Sequence, residues 1–247
     1  MENIKRELLE CDIFFEENVS LKKKTWIKTG GIASLWITPV SVEQLEETIK
    51  ILKFYKVKFD LVGHTSNLYY LDSYNPVVVI STIKMKKFVE KEDYIECECG
   101  TPVTSISRYC VNNGYTGYAG LVNLPGTVGA AICNNSSCFE CSLSEHLIDC
   151  TFYDMDKNEV VHLVHSNFDF TYRNSKLKRK ELKGVLLTLK LDKKPGDVEI
   201  EKAKAAKATY IRKTTQEVAA FTLGSVFAGL TPKNDILAKI AMGGVKY

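Results

Sequence analysis

Leu124-Pro125-Gly126-Thr127-Val128-Gly129 and Gly63-His64-Thr65-Ser66-Asn67-Leu68 are the two stretches of this chain that decide its fold. Each contains glycine, and the second directly follows a strand-like run over 57–62. Glycine lets a backbone approach a ligand closely, and successive N–H groups in such a turn form a concave nest for phosphate oxygens. The two stretches therefore predict binding loops, although each alone is also typical of an ordinary surface turn.

A third glycine-containing loop lies earlier in the chain, in Thr25-Trp26-Ile27-Lys28-Thr29-Gly30-Gly31. Its paired glycines stand between apolar stretches, where they permit close backbone approach to a ligand. The chain contains neither the Walker A sequence of P-loop proteins nor the G-x-G-x-x-G fingerprint of Rossmann folds. P-loop and Rossmann folds therefore have little support.

Composition and charge place the chain among globular proteins. Its 247 residues are 45% hydrophobic and carry a formal net charge of +3. Such a small charge argues against nucleic acid as the main partner. Apolar runs such as 77–80 are far shorter than the roughly 18–20 residues of a membrane span. Because the first residues are charged and lack the apolar core of a secretory signal, we expect a cytoplasmic protein without a membrane partner.

Hydrophobic periodicity predicts both helices and strands. One helix begins after Ser41, because Ser41 and Gln44 match a capping box and apolar residues at helical spacing follow. Further helices are predicted over 104–113, 197–213 and 235–242, and strands over 57–62, 76–80, 94–99, 147–153, 159–164 and 184–191. Because these elements mix with hairpins instead of alternating strictly, the pattern favours an α+β fold.

Eight cysteines are present, and we expect them to be reduced thiols. Cys133, Cys138 and Cys141 follow a C-x4-C-x2-C spacing that resembles the cluster-binding loop of plant-type ferredoxins. A cluster needs four thiolates, however, and Cys150 falls within a predicted strand. A zinc site lacks a second C-x-x-C pair. No metal site is therefore predicted, and we interpret these cysteines as small, partly buried thiols.

Five segments, in order, resemble the flavin-binding part of the bacterial UDP-N-acetylenolpyruvoylglucosamine reductases. Residues 25–31 are similar to that family's T-x-x-R-I-G-G loop, 63–68 to its G-G-G-S-N-L loop, and 124–131 to its I-P-G-T-V-G-G-A segment. Residues 170–178 resemble F-G-Y-R-x-S-x-F-K, and 224–227 match the start of G-S-V-F-K-N-P. The resemblance runs from about residue 25 to the end of the chain.

The resemblance implies a fold and a domain arrangement. Two FAD-binding subdomains of the vanillyl-alcohol-oxidase (PCMH) type, in an α+β architecture, are expected over residues 1–82 and 83–192. Residues 193–247 would be a short, truncated remnant of the family's α/β substrate domain. FAD would lie between the two subdomains.

The resemblance also implies which residues hold FAD, with its pyrophosphate near 63–67 and its flavin ring near 125–129. The expected cofactor-binding residues are Lys28, Gly30, Gly31, Gly63, His64, Thr65, Ser66, Asn67, Leu68, Pro125, Gly126, Thr127, Gly129 and Asn134. His64 stands where the family loop has glycine. We interpret it as a contact to phosphate or solvent; the alternative is a covalent bond to the flavin, as in some distant flavoenzymes of this fold.

The implied reaction is a reduction in peptidoglycan synthesis. In the family, NADPH is the electron donor that reduces the flavin, and hydride then passes to the enolpyruvyl double bond of a UDP-sugar. Arg173 matches the arginine that stabilises the developing enolate, and Ser225 matches the serine that protonates it. A guanidinium suits an oxyanion in a dry site, and a hydroxyl can donate a proton if a network resupplies it. A solvated basic run and a turn cap are the alternatives for these two residues.

Two departures from the family concern this chemistry. Ala228-Gly229-Leu230 stand where the family has K-N-P, so a cation and an amide expected at a phosphate are missing. Each lost charge-assisted hydrogen bond is worth about 1.5–3 kcal/mol. The chain also ends soon after Ser225, at Tyr247, before the acidic residue of the family's substrate domain. The alternative function is therefore an FAD-binding homologue with altered or lost catalysis, in surface-polysaccharide synthesis, or one that needs a partner chain or self-association.

Overall fold

A computed structural model describes residues 1–215, and the last predicted helix and Ser225 lie outside that range. The strands within it are β1 (Phe15–Ser20), β2 (Ile32–Ile37), β3 (Phe59–Val62), β4 (Val78–Ser81), β5 (Phe88–Glu90), β6 (Tyr94–Glu98), β7 (Ser137–Cys138), β8 (Cys141–Ser142), β9 (Leu147–Asp154), β10 (Glu159–Val164) and β11 (Gly184–Asp192). The helices are α1 (Glu2–Glu10), α2 (Leu21–Lys24), α3 (Val42–Phe54), α4 (Val103–Asn112), α5 (Val128–Asn134) and α6 (Val198–Thr215).

The first sheet is mixed, with strand order β1-β2-β4-β3. The strands β2, β4 and β3 run parallel, and β1 pairs antiparallel with β2. All residues of β4 are buried, as expected of a parallel strand covered on both faces. Because the parallel strands end at the same edge of the sheet, the segments that follow them meet there.

The second sheet is antiparallel throughout, with strand order β10-β9-β11-β6-β5. Along β6, buried and half-buried residues alternate, as expected of a sheet with one face in the core. The inner residues, such as Ile95, belong to the same apolar cluster as Leu35 and Ile80 of the first sheet. One apolar core therefore includes residues of both sheets.

The helix α6 packs against α4 and against the 3₁₀ turn at Ala119–Leu121. Its inward residues Glu201 and Ala208 are buried, and Asn123 donates a hydrogen bond from Nδ2 to Thr209 Oγ1 at 2.7 Å. No helix within residues 1–215 combines the length and the apolarity that crossing a bilayer requires.

The α+β prediction is confirmed, and most predicted elements shift by a few residues at most. The helix after Ser41 is α3, and Ser41 Oγ accepts from the Gln44 N–H at 3.3 Å. The Gln44 side chain, however, accepts from the Val40 N–H at 3.0 Å, so the predicted return bond to Ser41 is wrong. Gly114, with φ +74°, follows α4 as expected of a helix C-terminus.

Two segments hold structure that the sequence reading did not assign. The charged start of the chain is α1, which buries Ile4 and Leu8 at helical spacing. The glycine-rich run over 114–131, whose sequence shows no regular period, contains a 3₁₀ turn and the start of α5. The proline and glycine at 125–126 indicate a turn, and the helix that follows is too short to show a helical period in the sequence.

Candidate functional site

A cavity of about 480 Å³ opens at the edge where the parallel strands of the first sheet end. The turn at 63–68, Ser81 at the end of β4, and Pro125 line one side of it. Aromatic and basic side chains line the rest, among them Phe14, Lys24, Trp26, Trp36 and Lys84. Aromatic faces and cations are the groups that recognise the base and the phosphates of a nucleotide.

The turn at 63–68 and the loop at 124–129 meet beside this cavity, and we call them together the two-loop edge. A Cβ added to Gly63 would lie 2.3 Å from Thr127 Oγ1, so the Gly63 backbone packs against the Thr127 side chain in a space that only glycine fits. Gly126, with φ +128°, faces Ser66 Oγ, which would lie 3.6 Å from an added Cβ. The structure thus brings together the two loops that the sequence analysis singled out.

Thr65 occupies a strained conformation in this edge. Its φ is +55°, which is costly for a β-branched residue, and the family loop has glycine at this position. The side chain is buried, and its Oγ1 accepts a hydrogen bond from the Trp26 N–H at 2.8 Å. Thr65 therefore ties the third predicted loop, residues 25–31, to the two-loop edge.

The charges around the cavity come from lysines more than from His64. Desolvation lowers the pKa of His64, which favours its neutral form. Lys24 Nζ lies 2.5 Å from Glu16 Oε1 and 5.5 Å from the centre of the Trp36 ring. Glu16 offsets the charge of Lys24. Lys84 also lines the cavity and is a second cation that a bound anion would meet.

Ser81 is a buried hydroxyl in the cavity wall. Its exposed fraction is 0%, and within residues 1–215 its Oγ has no hydrogen-bond partner. Leaving such a group unpaired costs about 1–3 kcal/mol. The adjacent Thr82, in contrast, donates from Oγ1 to the Val62 carbonyl oxygen at 3.3 Å. The orphaned hydroxyl marks a position where a ligand would supply the missing partner.

The glycine pair of the third loop packs against the protein itself. A Cβ on Gly30, whose φ is +115°, would lie 2.7 Å from Leu21 Cβ. A Cβ on Gly31 would lie 2.3 Å from Asn75 Oδ1. Packing thus accounts for both glycines without a ligand. Lys28 is exposed with φ +60°, and the roles of all three residues at a cofactor stay predictions.

Gly129 lies in the first turn of α5, so the prediction that 124–129 is entirely a turn is wrong for its last two residues. The Gly129 N–H donates to the Cys99 carbonyl oxygen at 2.8 Å, and an added Cβ would lie 3.0 Å from Cys99 Cβ. The alanines that follow favour helix. The need for glycine at position 129 is therefore explained by the packing of α5 against the end of β6.

The remaining predicted cofactor residues differ in their exposure and in their contacts. Pro125 is exposed at the cavity, and Asn67 is exposed on the turn. Leu68 is half-buried against the apolar cluster that contains Trp36. Asn134, at the end of α5, donates from Nδ2 to the Ala130 carbonyl oxygen at 3.0 Å. Nothing in these contacts assigns a ligand to Asn134.

Arg173 lies at the tip of a tight turn in residues 169–178, which we call the arginine loop. Its φ is +55°, and its carbonyl oxygen accepts from Lys178 Nζ at 2.8 Å. The guanidinium carbon lies 5.5 Å from the centre of the Tyr172 ring, and the residue is half-buried. This conformation differs from that of a residue on an extended, solvated basic face.

A polar network that the sequence analysis missed holds the arginine loop in place. Asn135, in the left-handed conformation after α5, donates from Nδ2 to the Thr171 carbonyl oxygen at 2.7 Å. Its Oδ1 accepts from Ser142 Oγ at 2.9 Å and from Ser144 Oγ at 2.6 Å. An asparagine directly after a helix is typical of this capping conformation, and that was the available signal.

The cysteines form no metal site in the described range. Residues 1–215 contain no group of three or more histidine, cysteine or acidic side chains placed to hold a metal ion. All eight cysteines are free thiols, and Cys150 is buried in β9. Ser225, the second predicted catalytic residue, lies outside the described residues.

Comparison with known proteins identifies the family. Residues 33–163 match the FAD binding domain family. A UDP-N-acetylenolpyruvoylglucosamine reductase from Caldicellulosiruptor bescii is 30% identical over 235 residues, which are 94% of this chain and 73% of that protein. The chain belongs to the UDP-N-acetylenolpyruvoylglucosamine reductase family. A relative from Caldicellulosiruptor saccharolyticus is 32% identical over 177 residues, and that match covers 72% of this chain and only 57% of the relative's length.

Solved structures confirm the fold class. The UDP-N-acetylenolpyruvylglucosamine reductase of Thermus caldophilus superposes with a TM-score of 0.76 at 20% identity, over 94% of this chain and 82% of that one. The glucooligosaccharide oxidase of Acremonium strictum superposes with a TM-score of 0.57 at 13% identity, over 78% of this chain and 42% of the oxidase. The domain boundaries at residues 82 and 192 stay predictions.

Proposed function

We propose that this protein is an FAD-dependent oxidoreductase of the cytoplasm that reduces UDP-N-acetylglucosamine enolpyruvate with electrons from NADPH, in peptidoglycan synthesis. Family membership and the FAD binding domain support this proposal. The observation that carries it is the two-loop edge, where Gly63 meets Thr127 beside a cavity that contains the orphaned Ser81 hydroxyl.

The two-loop edge would hold the cofactor. Backbone N–H groups of 63–67 would bind the pyrophosphate, Ser81 Oγ would donate to a ligand oxygen, and 125–129 would lie beside the flavin ring. The family motifs extend the proposed set to Lys28, Gly30, Gly31, Leu68 and Asn134. Bound FAD supplies hydride transfer, from NADPH to the double bond of the substrate.

Arg173 and Ser225 would complete the reaction. The guanidinium of Arg173 would stabilise the negative charge that develops on the substrate as an enolate. The Ser225 hydroxyl would then donate a proton to the enolate carbon. The Asn135 network would keep the arginine loop, and with it Arg173, in position.

An anaerobic experiment tests this function. The full chain is loaded with FAD, NADPH is added, and the flavin absorbance is followed; UDP-N-acetylglucosamine enolpyruvate is then added. We expect NADPH to bleach the flavin and the substrate to restore its colour. Absence of bleaching rejects NADPH as the donor, and failure to take up FAD rejects a flavin-dependent function altogether.

A second candidate is an FAD-binding homologue that acts on another substrate or completes its site with a partner chain or a second copy. The replacement of the family's K-N-P by Ala228-Gly229-Leu230 favours it, because a phosphate site would lose its cation. In the same experiment, bleaching without recovery on addition of the UDP-sugar would support this candidate.

The attachment of the flavin is a separate question. The Acremonium strictum oxidase that superposes on this chain is described as carrying a histidyl flavin, and His64 lines the cavity here. Our proposal is a noncovalent cofactor. If denaturation releases all colour through a small-pore filter, it holds; colour that stays with the polypeptide would establish a covalent bond.

A further inference from the structure

Two cysteines face each other across a tight hairpin close to the arginine loop. The strands β7 and β8 pair Cys138 directly with Cys141, and the two residues between them form the turn. Phe139 and Glu140 both have positive φ, 48° and 61°, which is the backbone of a two-residue type I′ hairpin turn. We call residues 137–142 the cysteine hairpin.

The hairpin places the two cysteines within reach of a disulfide. Directly opposed residues in an antiparallel pair have Cα atoms about 4.5–5.5 Å apart. A disulfide bridges Cα atoms about 4.4–6.8 Å apart. Both side chains are half-buried and both thiols are free. The Cα separation expected of this directly opposed pair therefore lies within the range that a disulfide spans.

The charges around the two thiols differ. Burial raises the pKa of the Cys138 thiol, while Arg212, which hydrogen-bonds to it, and Arg173 oppose that rise. Burial also raises the pKa of the Cys141 thiol; Glu145 and Glu201 add to the rise, and the Gly120 N–H and Lys204 oppose it. The thiolate, the form that attacks disulfides, is thus favoured by neighbouring cations at Cys138 and disfavoured by neighbouring acids at Cys141.

We propose that Cys138 and Cys141 are a reversible redox pair that closes to an intrachain disulfide by exchange with low-molecular-weight disulfides. The Cys138 thiolate attacks one sulfur of the small disulfide, whose S–S bond breaks and releases one small thiolate. Cys141 then attacks the mixed disulfide at Cys138 and releases the second. The protons of the two cysteines end on the two released thiols, and the small disulfide takes up the two electrons that the cysteines lose.

The remaining cysteines do not share this arrangement. Cys97, Cys99 and Cys110 are buried in the main core, where burial raises the pKa of each thiol. Cys133 lies in α5, and its carbonyl oxygen accepts from Ser175 Oγ at 2.6 Å. The directly paired cysteines are those of the hairpin. The proposal does not depend on flavin binding.

The Cys138–Cys141 pair is connected to the arginine loop in two ways, through Cys138 and through Ser142. Cys138 shares its surroundings with Arg173 and Arg212. Ser142, next to Cys141, donates to Asn135 Oδ1, and Asn135 in turn bonds the Thr171 carbonyl oxygen. Closure of the disulfide removes the Cys138 thiol proton next to the two guanidinium groups. The redox state of the hairpin therefore changes the surroundings of Arg173.

Cleavage after Glu140 tests the proposal, because that residue lies between the two cysteines. The purified full chain is equilibrated with mixtures of reduced and oxidised glutathione, quenched with acid, alkylated, and digested with a protease that cuts after glutamate. In oxidising mixtures we expect the fragment 141–145 to stay linked to the fragment that contains Cys138. Addition of dithiothreitol should release it.

Two variants make the assignment specific. Cys138→Ser should abolish the link and leave Cys141 alkylated or joined to glutathione, whereas Cys133→Ser should retain the link; circular dichroism checks that both are folded. Exposed Cys11 serves as an internal control for oxidation. The proposal is overturned if fragment 141–145 is released fully alkylated while Cys11 carries glutathione, or if the link persists in Cys138→Ser.

Discussion

The two-loop edge and the arginine loop are built in different ways. At the two-loop edge, Gly63 packs closely against Thr127 beside a cavity, and the two loops match the family motifs at most positions, with His64 and Thr65 in place of glycines. At the arginine loop, Arg173 matches the family motif, and an asparagine network and a cysteine hairpin surround it. A site that depends on close packing at glycines is visible in the sequence as a motif. A site held by side-chain hydrogen bonds between distant residues leaves little sequence signal.

The largest expected effect separates reaction from binding at the arginine loop. Arg173→Lys should slow reoxidation of the reduced flavin by the UDP-sugar by about 100-fold to 1,000-fold, as for other lost transition-state donors, while FAD stays bound. Stopped-flow absorbance measures the rate. Arg179→Lys is the matched control, since Arg179 pairs with Asp169 and Glu181 on the surface. Equal reoxidation rates in the two variants would show that Arg173 has no role in the reaction.

The next effect concerns the closest approach at the two-loop edge. Gly63→Ala places a Cβ 2.3 Å from Thr127 Oγ1, and such overpacking costs about 1–3 kcal/mol. We expect FAD affinity to fall by about 5-fold to 150-fold, measured by quenching of flavin fluorescence. Adding Thr127→Ala should recover part of the loss by removing the clashing atoms. Unchanged affinity in Gly63→Ala would contradict the proposed position of the cofactor.

A smaller effect is expected from the orphaned hydroxyl. Ser81→Ala removes a group without a protein partner, so the free energy of unfolding of the apoprotein should stay unchanged or rise. FAD affinity should fall by about 3-fold to 10-fold, the value of one hydrogen bond. Ser107→Ala is the matched control. Because Ser107 Oγ donates to the Val103 carbonyl oxygen within α4, that variant should lose stability and keep its affinity.

The smallest effect is a pH dependence through His64. Since folding lowers the pKa of His64, the free protein should lose a little stability as the pH falls through about 6.5, where the unfolded chain takes up the proton. A bound diphosphate favours the charged ring, so FAD affinity should rise over the same interval by about 3-fold. Fluorescence titrations at several pH values between 7.5 and 5.5, which bracket the ordinary histidine pKa of about 6.5, measure the FAD affinity.

His64→Gln should flatten the pH dependence of FAD affinity, and His162→Gln, on β10 of the second sheet, should not. A flat profile in the unchanged protein would place His64 away from the phosphates. The opposite sign, with weaker FAD binding at low pH, would show that protonation of His64 disfavours the bound state.

The sequence predicts the parts of the molecule that depend on local signals. The Ser41 cap places the start of α3, and the apolar run at 77–80 indicates a buried strand. The loops at 63–68 and 124–129 are recognisable because tight packing at Gly63 and the positive φ of Gly126 both require glycine. The bonds of Asn135 to Ser142 and Thr171 join residues 7 and 36 positions apart. No periodicity or motif encodes such pairs, so only the three-dimensional structure shows them.

Binding of FAD at the two-loop edge can be tested by hydrogen exchange of the full chain with and without saturating FAD. Amide exchange in 63–68 and 124–129 should slow on addition of FAD, and exchange in β10, an edge strand of the second sheet, should stay unchanged. Saturable FAD binding that leaves both loops unprotected, or protects only segments elsewhere, would contradict it.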